Sequence, residues 1–147
     1  SGILAVRILA LTRDANRLLS ILFEPRDETI HRAAIDGLTS IANSSLVAAE
    51  SIRAGLETRL PEAESDLMMP LLLGLTDAQA ADPVVAEELM GMLNSERLAT
   101  RTLAIYRMEQ RTKDRRGYHP ESELSRRREA IRRWQRYFEQ NSGVLVP

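Results

Sequence analysis

Hydrophobic and polar residues alternate along this chain with the period of a helix, again and again. In "DANRLLSILFEPRDETIHRAAIDGLTSIA" apolar residues recur at intervals of three and four. That spacing predicts a short helix over 14–23, a turn at "EPRDE" and a second helix over 28–42. In the second helix Ile30, Ala33, Ala34, Gly37, Leu38 and Ile41 share one stripe, while Arg32, Asp36 and Thr39 face away. Asp14 and Asp27 stand where a short side-chain oxygen can accept the first-turn N–H groups, and Ser44 or Ser45 can do the same for the next helix.

The pattern then returns. Helices are expected over 45–58, over 62–74 after a break at Pro61, over 83–93 beyond the loop "TDAQAADP", and over 95–111. Leu22, Leu60 and Leu93 close the first helices of successive pairs, 38 and 33 residues apart. Ile30, Leu67 and Leu98 open the second ones, 37 and 31 residues apart. A helix pair cannot bury both of its apolar faces alone, so stacked pairs must share a core. The expected fold is therefore all-α: an α-solenoid of about three antiparallel helix pairs, closed by a C-terminal capping helix. All 147 residues are assigned to one helical-repeat domain, with repeats over 14–111, a loop over 112–121 and the cap over 122–140.

Composition agrees with this and narrows it. A chain of this length can bury about two thirds of its unfolded surface. Apolar residues make up 44% and aromatics only 4%, which leaves packing to Leu, Ile, Ala and Met and argues against disorder. With no cysteine, disulfides, thiolate metal sites and cysteine nucleophiles are excluded. The apolar run "LMMPLLLGL" at 67–75 contains Pro70 and is much shorter than the ~20 residues that span a bilayer.

Charge changes the picture further. Residues 1–96 carry seven Arg against fifteen acids, a balance of −8, and residues 97–147 carry thirteen cations against six acids, a balance of +7. Every cation but Lys113 is arginine.

"LLSILFEPRDETIHRAAIDGLTSI" and "LMGMLNSERLATRTLAIYRMEQRT" resemble HEAT or armadillo-type repeats, in which a leucine-rich first helix and a short turn precede an alanine-containing second helix. The end of the chain, "RLATRTLAIYRMEQRTKDRRGYHPESELSRRREAIRRWQRYFEQ", is similar to the C-terminal segment of planctomycete-type bacterial HEAT-like proteins. There a Gly-Tyr-Asp-Pro-like loop and a Trp-containing helix finish the array. Gly117, Tyr118, His119 and Pro120 occupy that loop here, with His119 in place of the acidic residue, so no role of that acid carries over. The resemblance implies a repeat fold and no particular chemistry.

Candidate chemistry is sparse. On the last helix Leu124, Arg127, Ala130, Ile131, Trp134, Tyr137 and Phe138 project to one side, which makes Trp134 and Phe138 anchors onto the preceding repeat rather than a stacking platform for bases. Arg128, Arg132 and Arg136 recur every four residues on the other side and are the candidate partner-binding residues. They face solvent, a partner's acidic groups or phosphates. Acid-first pairs Glu129–Arg133 and Glu123–Arg127 are expected to neutralise part of the charge. His31 lies at the edge of the apolar stripe and reads as structural, and His119 is expected to hydrogen-bond within its turn. Neither has the companions of a zinc site or a Ser-His-Asp set. The acids of "DETIH" and "PEAESD" sit at helix starts, where the dipole favours them. No phosphate-cradling glycine motif is present. Catalytic, metal and cofactor residues are accordingly not assigned.

The function expected from these features is a non-enzymatic scaffold that contacts a protein partner or neighbouring domains of its own chain; the alternative is nucleic-acid binding by the basic C-terminal third. The opening Ser1-Gly2 has the form of a tag-cleavage remnant. "ILAVRILAL" at 3–11 is apolar almost all round, so the native chain is expected to continue N-terminally. In this fragment the apolar face is expected to be covered by self-association or by folding back on residues 14–42. No compartment is assigned.

Overall fold

The structure is a computed structural model that describes residues 2–11 and 13–147. Ser1, half of the Ser-Gly opening, lies outside the described residues. Those described form an all-α protein: α1 (Gly2–Leu11), α2 (Ala15–Phe23), α3 (Glu28–Ala42), α4 (Leu46–Glu57), α5 (Glu62–Leu73), α6 (Asp77–Ala80), α7 (Pro83–Leu93), α8 (Leu98–Thr112) and α9 (Leu124–Gln140). They divide into two compact units, Ser1–Gly74 and Leu75–Pro147.

In the first unit α3 is the hub, packed by α1, α2, α4 and α5. Its buried face comprises His31, Ala34, Ile35, Gly37, Leu38, Ile41 and Ala42, while Ile30 and Ala33 are half-buried. Gly37 explains how two helices approach α3 at once. A Cβ there would lie 3.0 Å from both the Ala10 Cβ on α1 and the Leu18 Cδ1 on α2. The expected caps form, with Asp14 accepting from Arg17 N–H, Asp27 from Ile30 N–H and Ser45 from Ala48 N–H. His31 is buried and donates from Nε2 to the Glu24 carbonyl at 2.8 Å, which ties the α2–α3 turn to α3.

α1 does fold back onto residues 14–42, but with one face only. Val6 is buried and the helix packs on α2 and α3, whereas Leu4, Ile8 and Leu11 are 65%, 50% and 83% exposed.

The residues that close and open the expected helix pairs share their burial class. Leu22, Leu60 and Leu93 are all buried, and Ile30, Leu67 and Leu98 are all half-buried. The stretch "TDAQAADP", expected as loop, contains the one-turn helix α6, because Thr76 and Gln79 close a capping box. No helix among the described residues is long and apolar enough to cross a membrane.

In the second unit α7 packs on both α8 and α9. Ala130, Ile131, Trp134 and Phe138 are buried on α9, with Arg127 and Tyr137 half-buried. Leu124, the first residue of the helix, is exposed rather than part of that face. After α9, left-handed Ser142 and Gly143 reverse the chain so that Val144 and Leu145 are buried, and Val146 N–H bonds the Ala80 carbonyl at 2.9 Å. Asn141 Nδ2 donates to the Val144 and Leu145 carbonyls, and the Tyr137 hydroxyl donates to the latter as well.

Trp134 is fully buried and its Nε1–H donates to the Arg115 carbonyl at 3.1 Å. Replacing Trp134 with Ala removes a large core side chain and one donor, and is expected to cost ~3–5 kcal/mol. Trp134→Phe keeps most of the ring and should cost less. Denaturant melts of both variants check this; a wild-type midpoint for Trp134→Ala would show that the residue is no anchor.

Candidate functional site

The arginines of the basic segment fall into two groups, those bonded to the loop between α8 and α9 and those that face outward from α9. α8 ends on Lys113 in a left-handed conformation, and Arg116 and Gly117 are left-handed too. A chain bent this way cannot pair its carbonyls within a helix, so side chains supply the donors. Arg133 Nε donates to the Arg116 carbonyl at 2.9 Å, Arg101 Nε to Pro120 at 2.9 Å and Arg127 Nε to Ser122 at 2.9 Å. Gly117 has a φ of 75°, which favours glycine, and a Cβ there would meet the Arg133 guanidinium, 2.7 Å from Nη2, and push it aside.

The same side chains reach the α7–α8 turn. Arg101 Nη1 donates to the Ser95 carbonyl at 2.9 Å, so one guanidinium joins two loops. The fully buried Tyr118 donates its hydroxyl to the Leu93 carbonyl, the last of α7, at 2.6 Å. Arg116 lies over the rings of Trp134 and Tyr137, 4.8 and 3.9 Å from their centroids. Arg115 pairs with Glu109 and donates to His119 Nδ1 at 2.8 Å, which is the turn hydrogen bond expected of His119. Burial, with Arg127 nearby, lowers the pKa of the Arg101 guanidinium. Burial pushes the Tyr118 phenol up to about 12, against the pull of Arg101 and Arg127.

Arg128, Arg132 and Arg136 are exposed and form no hydrogen bond or ion pair with any described residue. They are a row on the outer face of α9, as the spacing predicts. The expected acid pairs are not made. Glu123 lies 3.8 Å from Arg126, and Arg127 and Arg133 donate to loop carbonyls instead.

Sequence reasoning missed a groove between α7 and α9. It has a volume of about 590 Å³, with Ala86, Met90 and Phe138 as an apolar floor and Glu87, Gln135 and Glu139 on its banks. The exposed face of α1 is another open apolar surface, edged by Arg7.

No family model, curated protein or solved structure matches the chain.

Tyr118 supplies a pH test. Its folded pKa, about 12, lies above the usual 10.0, so the folded state holds this proton more tightly than the unfolded chain does. The resulting stability is complete below pH 10 and is lost as the pH rises toward 12. Tyr118→Phe is expected to cost ~1–3 kcal/mol at neutral pH and to flatten the alkaline fall in the denaturant midpoint. An unchanged alkaline slope in the variant would contradict this account of Tyr118.

Proposed function

We propose that the chain is a non-enzymatic, HEAT-like helical-repeat scaffold, an α-solenoid of about three helix pairs ended by α9. It contacts a protein partner, or neighbouring domains of a longer chain, through its surface. Support for the repeat reading comes from the shared burial of the landmark residues and from the pairing of α2 with α3, α4 with α5 and α7 with α8. Support for the non-enzymatic reading comes from Tyr118 and Arg101, whose shifted pKa values accompany bonds to backbone carbonyls in the loop scaffold.

One observation carries the choice of partner: the arginines divide. Arg101, Arg107, Arg111, Arg115, Arg116, Arg127 and Arg133 all bond or pair with groups of the protein, whereas Arg128, Arg132 and Arg136 do not. The second unit as a whole carries thirteen cations against eleven acids, a far smaller excess than residues 97–147 alone. Apart from the isolated Lys113 and Arg126 beside Glu123, what remains for a partner is a short row with a repeat of about 6 Å along α9. Carboxylates at i and i+4 on a partner helix have the same repeat. Nucleic-acid binding, the alternative, would draw on this same row.

The triple variant Arg128→Gln/Arg132→Gln/Arg136→Gln tests the reading. Its melting curve is expected to match wild type, because exposed cations without partners contribute little to stability. In affinity capture from the source cell, a protein retained by wild type is expected to be lost by the variant. Titration with mixed-sequence DNA and RNA at low salt is expected to show no binding. Association with either that falls steeply with salt would instead establish the nucleic-acid alternative.

A further inference from the structure

Two open apolar surfaces of this chain are opposite in charge. On α1, Leu4, Ile8 and Leu11 form one exposed stripe at helical spacing. Arg7 stands at its edge, exposed and without an ion pair among the described residues. On the second unit the groove between α7 and α9 offers Ala86, Met90 and Phe138 as its floor. Its banks carry the exposed carboxylates Glu87 and Glu139, which likewise have no ion pair among the described residues, and no cation lines it.

From this complementarity we infer that α1 of one copy docks into the α7–α9 groove of a second copy. Leu4, Ile8 and Leu11 cover the apolar floor, and Arg7 is received by Glu87 and Glu139. Each copy uses one surface as knob and the other as groove, so association closes as a reciprocal two-fold pair, closes as a larger ring, or continues as an open chain. Pairing of like surface with like is disfavoured by charge. Two α1 helices laid antiparallel bring their Arg7 side chains together near the helix centre, and two grooves face to face oppose four carboxylates. The contact uses neither Arg128 nor its companions, and it stands or falls independently of the scaffold's partner.

Sedimentation of the whole 147-residue chain over a wide concentration range tests the inference. The expected weight-average mass for wild type climbs with concentration to at least twice that of one chain. Leu4→Glu/Ile8→Glu and Glu87→Arg/Glu139→Arg each remain monomeric under the same conditions, with wild-type circular dichroism because all four positions are exposed. Mixed together, the two variants pair one to one and grow no further, since only one intact knob and one intact groove remain. The milder Glu87→Gln/Glu139→Gln weakens association at least several-fold without altering the floor. A wild type that stays monomeric throughout overturns the inference. So does a groove variant that associates as wild type does, which would mean α1 pairs with α1, or a mixture of folded variants that fails to pair.

Discussion

A loop without regular structure must still pair its carbonyls, and in the second unit that requirement falls on side-chain N–H groups from α8 and α9. Trp134, Arg133, Arg127 and Arg101 each place a donor on a carbonyl between Arg115 and Ser122. Tyr118 returns the favour by sending its hydroxyl out of the loop to the end of α7. Each bond is worth about 1 kcal/mol net, and at Pro120 and Leu93, where the bond is buried, losing the donor costs more than the bond contributes. The loop therefore fixes where α9 lies against α7, and with it the groove between them and the direction of the outer arginine row.

This constraint also sorts the charges. The positive balance of residues 97–147 resembles a phosphate-facing surface when counted along the chain. In the folded unit much of it is turned inward, with arginine forks serving as carbonyl donors, as ion-pair partners of Asp77, Asp114 and Glu109, and as a plate over two aromatic rings. Arginine suits this work because its Nε and Nη donors point in different directions, so Arg101 can hold Pro120 and Ser95 at once.

Apart from the one-turn α6, the helices were legible in the sequence because each carries its signal locally: apolar spacing sets the length of α3, and Asp27 sets its start. The outward row on α9 was legible for the same reason, as periodicity alone separates Arg132 from Trp134. What the sequence concealed was non-local. Whether Arg133 meets Glu129 on its own helix or the Arg116 carbonyl depends on a loop whose path is set by three left-handed residues, only one of them glycine. The C-terminal "GVLVP" did hold a signal, a glycine followed by an apolar run just beyond a helix, and it ends bonded to Ala80. The groove between α7 and α9 could not be foreseen, because it belongs to the packing of two helices distant in the chain.

Trp134 is the one tryptophan in the chain, so its fluorescence reports on the loop scaffold without labelling. The most direct measurement is acrylamide quenching of that emission together with its change during denaturant unfolding, each compared with far-ultraviolet circular dichroism. A scaffold that holds the second unit together predicts a blue-shifted emission that acrylamide barely quenches and that red-shifts in the same transition in which helicity is lost. Ready quenching in the native protein, or a red shift completed while the helices remain intact, would contradict it.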